Sequence, residues 1–365
     1  MDVGRRRVLG SMAAVTSAAA VGCTTDGSDS AESSPTGPTT TTSTTSTTTT
    51  TAAGAGTAAT SADTTAVSRP WADAGFDELE RYLADTNTNS FAIWEDGDSV
   101  FEWHRDDPEF RRDIASAQKS VLSLLVGRAV ADGLIALDTE VGEVVGADWA
   151  GGSPTAGITV HHLLAMTSGL DNQLQVVSAP GEAWLYSGAF AALFDVVTSV
   201  TGEELQPLAQ SWLFDDAGAT TAEFYERRID SYAPIGLVAS TSDLVAIGRT
   251  VVEGTQAGLD PTWLDDSLTP SQPFNEGYGH LWWLNGHESY LYPAPGSPKR
   301  EGPLIPPAPD DLVAALGKDD QKLYLSRDLR LVVARIGGRA VEGRPALSSY
   351  DPDLWTRLME LRGDA

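Results

Sequence analysis

Strand-type patterns stand near both ends of the packed part of this chain, with helical spacing between them, and that distribution constrains the architecture more than any other feature. Ser90-Phe91-Ala92-Ile93-Trp94, the Asp96-Gly97-Asp98 turn and Val100-Phe101-Glu102-Trp103 predict a β-hairpin. A second strand pair is predicted near residues 322–325 and 331–336. Between the pairs, residues 116–132 read as a long helix stopped by Gly133, and helical patterns dominate residues 159–254. Phe76, Leu79 and Leu83 have helical spacing, and residues 352–361 form a last helix. Distant strands satisfy one another only by sharing a sheet, so the expected class is α+β: one sheet completed by both chain ends, flanked by helices, with a mostly helical insertion.

The packed part is assigned to residues 69–365 as one domain, and what precedes it has another composition. Residues 1–22 carry Gly4-Arg5-Arg6-Arg7-Val8-Leu9 and an Ala-, Val- and Ser-rich run, the pattern of a twin-arginine signal peptide. That run is too short to span a membrane as a helix. It ends at Val21-Gly22-Cys23, and the order of small residues before the cysteine resembles a lipobox, which implies lipidation of Cys23. Cys23 is the sole cysteine of the chain, which excludes an internal disulfide. Residues 23–68 are otherwise mainly Thr, Ser, Ala and Gly, too polar to offset chain entropy by burial, and read as a disordered stalk. The expected location is the cell surface, on the outer face of the cytoplasmic membrane.

The net charge is −27, with 51 Asp and Glu and lysine only at positions 119, 299, 318 and 322. Such a surface repels nucleic acid and fits a protein working in concentrated salt, where screening suppresses self-repulsion. So few lysines also make a lysine inside a motif informative. Ser116-Ala117-Gln118-Lys119 fits S-x-x-K at the start of the apolar helix, which leaves the Ser116 N–H free for an oxyanion and sets Lys119 one turn on, beside the hydroxyl. A serine needs a nearby base, and a lysine can be one if its surroundings lower its pKa.

Further segments follow this motif in order. They are Asp132-Gly133-Leu134-Ile135-Ala136-Leu137-Asp138, then Ile158-Thr159-Val160-His161-His162-Leu163-Leu164-Ala165-Met166-Thr167-Ser168-Gly169-Leu170, then Pro180-Gly181-Glu182-Ala183-Trp184-Leu185-Tyr186-Ser187-Gly188. Together they resemble the penicillin-recognising serine hydrolases, the β-lactamase/D,D-peptidase-like family with an antiparallel sheet, over residues 90–340. The resemblance implies Ser116 as nucleophile, Lys119 as its activating partner and Tyr186 as proton relay. It also implies a strand tripeptide matched by Ala315-Leu316-Gly317, with the Ser116 and Lys318 backbone N–H groups as oxyanion donors. Gly317, Gln321, His280 and Trp282 are candidates for the substrate cleft.

Gly188 stands where β-lactamases and D,D-peptidases have an asparagine, and Ala315 where a lysine or histidine is usual. Both departures weaken recognition of a penicillin and turn the resemblance towards 6-aminohexanoate-dimer hydrolases and esterase-like members related to class C β-lactamases. The expected substrate is a small ester or amide. The alternatives are a D,D-peptidase or β-lactamase, and a surface protein that keeps the scaffold without turnover. No cofactor is implied, and no histidine has metal-ligand spacing. His161 and His162 read as structural and Asp243 as a helix cap. The absence of G-x-S-x-G disfavours an α/β-hydrolase triad.

Overall fold

A computed structural model describes residue 71 and residues 75–227, 234–255, 258–294, 296–342 and 346–364. The expectations for the signal peptide, for Cys23 and for the stalk lie outside the described residues. In chain order the helices are α1 (Phe76–Asp85), α2 (Gln118–Ala131), α3 (Val141–Val145), α4 (Val160–Leu164), α5 (Ala192–Thr201), α6 (Leu205–Ala209), α7 (Asp215–Ala217), α8 (Thr241–Glu253), α9 (Pro261–Ser267) and α10 (Tyr350–Arg362). The strands are β1 (Thr88–Glu95), β2 (Asp98–His104), β3 (Arg112–Asp113), β4 (Glu223–Glu226), β5 (Ile235–Ala239), β6 (Trp283–Leu284), β7 (Ser289–Leu291), β8 (Lys299–Glu301), β9 (Val313–Gly317), β10 (Gln321–Ser326) and β11 (Leu331–Gly337).

Both chain ends build one antiparallel sheet of order β2-β1-β11-β10-β9-β6. The β1–β2 hairpin turns through Asp96 and Gly97, both at positive φ (45° and 102°), and β1 then pairs with β11 in the register Ala92↔Ala334. Alternation along β10 divides the core into two layers. Leu323 and Leu325 face α8, where a Cβ on Gly248 would come within 2.8 Å of Leu325 and 2.7 Å of Val332. Helix and sheet meet closely there, and a larger residue would have to displace those side-chain ends. Lys322 and Tyr324 face the other way, towards Asp351 and Trp355 of α10.

The insertion is less purely helical than its spacing predicts. β4 and β5 lie inside it and join β3 in a three-stranded sheet of order β3-β5-β4. These strands are too short to carry a periodicity that stands out from the surrounding helical pattern. Helix α2 runs through the interior and is buried on nearly every face, which is why its sequence is apolar almost all round. Two helix starts are closed by reciprocal caps, Thr159 with His162 and Ser240 with Asp243, so the structural readings of His162 and Asp243 agree with the geometry.

Candidate active site

The nucleophile candidate is presented by a sharp turn. β3 ends at Asp113, Ile114 is fully buried, and Ala115 takes a left-handed conformation at φ 53° before the short 3-10 turn Ala115–Ala117 leads into α2. That region is sterically disfavoured for a residue with a Cβ. The Ala115 N–H donates to Asp113 Oδ1 at 2.8 Å, and the Ala117 N–H returns to the Ile114 carbonyl at 3.2 Å. Ser116 is thereby half-buried just before the first α-helical residue.

Lys119 Nζ donates to Ser116 Oγ at 3.0 Å. The lysine is 2% exposed and makes no ion pair among the described residues. Its ammonium lies 4.1 Å from the ring centre of Phe190 and 4.7 Å from that of Tyr186. Burial, and secondarily the charge of Arg227, push its pKa down from the ordinary 10.5 to about 7. A substantial fraction is therefore neutral near neutrality, the form that can take a proton.

Tyr186 is held in an aromatic box. Trp283 stacks on it at 5.8 Å and 29°, Tyr278 meets it edge-on at 6.1 Å, and Trp184 closes the group 5.5 Å from Tyr278. The segment carrying Tyr278 and Trp283 is anchored to α2 by Ser120 Oγ, which donates to the Leu281 carbonyl at 2.8 Å. Beside Tyr186 opens a cleft of about 70 Å³ lined by Trp184, Leu185, Leu291, Tyr292 and Pro293. A larger cavity of about 660 Å³ lies at the opposite end of β9, by Val313 and Arg327, and shares no wall with Ser116, Lys119 or Tyr186.

The third segment reaches the site through glycine. A Cβ on Gly317 would sit 2.1 Å from the Ile114 carbonyl oxygen, so the end of β9 abuts the turn that carries Ser116. Ala315 is buried in the same strand, and Lys318 follows with an exposed side chain. At the tyrosine segment, the Gly188 N–H donates to Asn172 Oδ1 at 2.9 Å.

A family model described as Beta-lactamase matches residues 76–334. The chain belongs to the beta-lactamase family. Three solved structures illustrate the shared fold. A penicillin binding protein from Bacillus halodurans is 16% identical, with a TM-score of 0.57 over 72% of this chain and 96% of its own. A candidate 6-aminohexanoate-dimer hydrolase from Bacillus anthracis is 16% identical, with a TM-score of 0.59 over 78% and 81%. EstCE1, a hydrolase with promiscuous acyltransferase activity, is 14% identical, with a TM-score of 0.59 over 77% and 96%. At such identities the likeness is one of fold. No curated protein sequence matches the chain.

In this beta-lactamase-family chain Ser116, Lys119, Tyr186 and Gly317 lie together, and three cleft candidates lie elsewhere. Gln321 is fully buried, and its amide donates to the Asp319 and Gly337 carbonyls at 2.8 Å while accepting from the Gly337 N–H, so it ties the β9–β10 turn to β11. His280 lies among the helices, 3.3 Å from His161 Nδ1 and tilted against Trp263 at 5.5 Å. Trp282 is fully buried, and its neighbour Trp283 is the residue that meets Tyr186. Phe190 and Arg227 gave no signal in the sequence, because each meets the site across a long chain separation, and Asp113 is marked out only by Arg227, 114 residues away.

Proposed function

We propose that this protein is an exported serine hydrolase that cleaves an ester or small amide through an acyl-enzyme on Ser116. The observation that carries the reading is the 3.0 Å contact from Lys119 Nζ to Ser116 Oγ at a buried lysine without an ion pair among the described residues. Neutral Lys119 takes the hydroxyl proton as Oγ attacks the substrate carbonyl. The Ser116 and Lys318 backbone N–H groups hold the oxyanion that forms. The proton passes by way of Tyr186 to the leaving alcohol or amine, whose bond to the acyl carbon breaks. Water then attacks the acyl carbon while Lys119 removes its proton, the bond from that carbon to Ser116 Oγ breaks, and Lys119 returns the proton to Oγ as the acid is released.

The substrate follows from what surrounds the serine. Ala315 offers no cation to a substrate carboxylate, and the cleft beside Tyr186 is small, which favours a short uncharged group over a penicillin. A fluorophosphonate probe applied in concentrated salt is expected to label the wild type and not Ser116→Ala, with short p-nitrophenyl esters hydrolysed and nitrocefin left intact. Absence of Ser116-dependent label would remove the enzyme reading in favour of a non-catalytic scaffold. Labelling by a fluorescent penicillin would replace the esterase by a β-lactamase or D,D-peptidase.

Export through the twin-arginine signal and lipid anchorage at Cys23 on the outer face of the cytoplasmic membrane belong to the same proposal, with the Thr-rich segment as tether. The mature N-terminus should be a lipid-modified Cys23 by mass spectrometry. An unmodified cysteine, or an intact leader, would count against it.

A further inference from the structure

The turn that aims Ser116 is fastened from outside the reacting groups. Asp113, whose Oδ1 accepts the Ala115 N–H, is itself gripped by Arg227 through two parallel bonds, Nε to Oδ2 at 2.8 Å and Nη2 to Oδ1 at 2.7 Å. The Tyr225 hydroxyl adds a third donor to Oδ2 at 2.7 Å. The remaining Nη1 of Arg227 donates to the Ile235 carbonyl at 2.6 Å, and the same carbonyl accepts from Gln118 Nε2 at 2.8 Å. Gln118 directly precedes Lys119, two residues after the candidate nucleophile. The Ile114 N–H donates to the Leu237 carbonyl at 2.9 Å. Both flanks of Ser116 are thus fixed to the β3-β5-β4 sheet, and Arg227, with its side chain 10% exposed, links them.

We propose that Asp113 and Arg227 are positioning residues for acyl transfer: the clamped carboxylate holds Ala115 in its left-handed conformation and thereby sets where Ser116 Oγ points. The inference rests on Ser116 being the nucleophile. A left-handed alanine relaxes towards the ordinary regions unless its surroundings hold it, and a fork-shaped guanidinium on a carboxylate is a rigid means of doing so. The charge of Arg227 also acts on Lys119, second to burial, in the direction that favours the neutral amine. An isolated structural ion pair would touch neither the serine's aim nor the lysine's protonation.

The test compares wild type, Asp113→Asn, Arg227→Gln and Arg227→Lys for fluorophosphonate labelling rate and for p-nitrophenyl acetate hydrolysis across pH. Melting curves identify the folded variants. Asp113→Asn keeps an acceptor for the Ala115 N–H but loses the charged clamp, and its kcat should fall about 10–100-fold with KM little changed. Arg227→Gln should show the same fall and move the rising limb of the pH profile upward, since losing a nearby positive charge eases protonation of Lys119. Arg227→Lys restores the charge without the fork, so the limb should return towards its wild-type position while the rate stays low. Folded Asp113→Asn and Arg227→Lys proteins with wild-type labelling rates and unchanged kcat would overturn the proposal. A wild type that shows no Ser116-dependent label would instead bring down the nucleophile reading itself, so the two failures are distinct.

Discussion

Two of the four lysines in this chain are buried, and they are buried in opposite ways. Lys322, on β10, is fully enclosed with Asp351 at 2.7 Å and Asp320 at 3.3 Å, and it also donates to the Ala346 carbonyl. Those carboxylates have further donors, the Tyr324 hydroxyl to Asp351 at 2.6 Å and the Ser348 hydroxyl to Asp320 at 2.7 Å. Lys119, on α2, has two aromatic rings and one hydroxyl. Taking an ammonium out of water costs several kcal/mol unless opposite charge and hydrogen bonds replace the solvent. At Lys322 they do, and the outcome is a tie between the sheet and α10. At Lys119 the pKa drops to about 7, and the outcome is a base beside a serine.

The strongest way to break this contrast is to remove each lysine in turn. Lys119→Met should lower kcat/KM for a p-nitrophenyl ester by about 10²–10⁴-fold, the usual contribution of a positioned base, while unfolding free energy stays level or rises because a poorly compensated buried amine is gone. A variant retaining wild-type turnover would show that Lys119 is not the base. Lys322→Met should do the reverse. Two buried carboxylates lose their cation, which costs about 3–5 kcal/mol by urea denaturation, and turnover per folded molecule stays at the wild-type value. If Lys322→Met proved neutral in stability, the network would not be the tie described.

How far each lysine was legible in the sequence follows from the distance to its partners. Ser116 and Lys119 are three residues apart on one helical turn, so local spacing sufficed. The partners of Lys322 and Arg227, Asp351 and Asp113, lie 29 and 114 residues away and meet them only once the sheets are formed. The strands near both ends of the domain were readable because apolar, β-branched and aromatic runs bounded by turn residues are a local signal, whereas β3, β4 and β6 are too short to show one. Tyr186 was found only through the family segment around it. Gln321 was placed at the cleft because it closely follows the Ala315-Leu316-Gly317 tripeptide, while its amide is taken up by Asp319 and Gly337.

A profile of kcat/KM against pH sharpens the comparison further. Lys119 acts as a base only when neutral, so activity should rise with pH through about 7 and level off above it. The sign follows from the direction of its shift. A profile flat from pH 6 to pH 9 would mean that the lysine does not titrate in the reacting state.

His280 provides a smaller test of the same principle. Like Lys119 it is a buried base, and burial, then the neighbouring charge of His161, hold its pKa down to about 4 from the ordinary 6.5. Among the described residues its ring meets His161 and Trp263 and no nucleophile, unlike Lys119. Its titration should therefore register in stability and not in rate. Below pH 6.5 the unfolded chain binds a proton that the folded protein refuses, so stability is fully present above 6.5 and falls as pH drops towards 4. The loss comes to about 3 kcal/mol at 1.36 kcal/mol per pKa unit. His161, whose pKa burial also lowers, adds to the slope in the same direction. His280→Phe keeps an aromatic ring against Trp263 and removes the group that titrates, so unfolding free energies measured between pH 6.5 and pH 4.5 should fall less steeply for the variant than for the wild type. Equal slopes would mean that the His161–His280 pair takes up its protons without opening the helical layer, and that burial alone does not separate a catalytic base from a structural one.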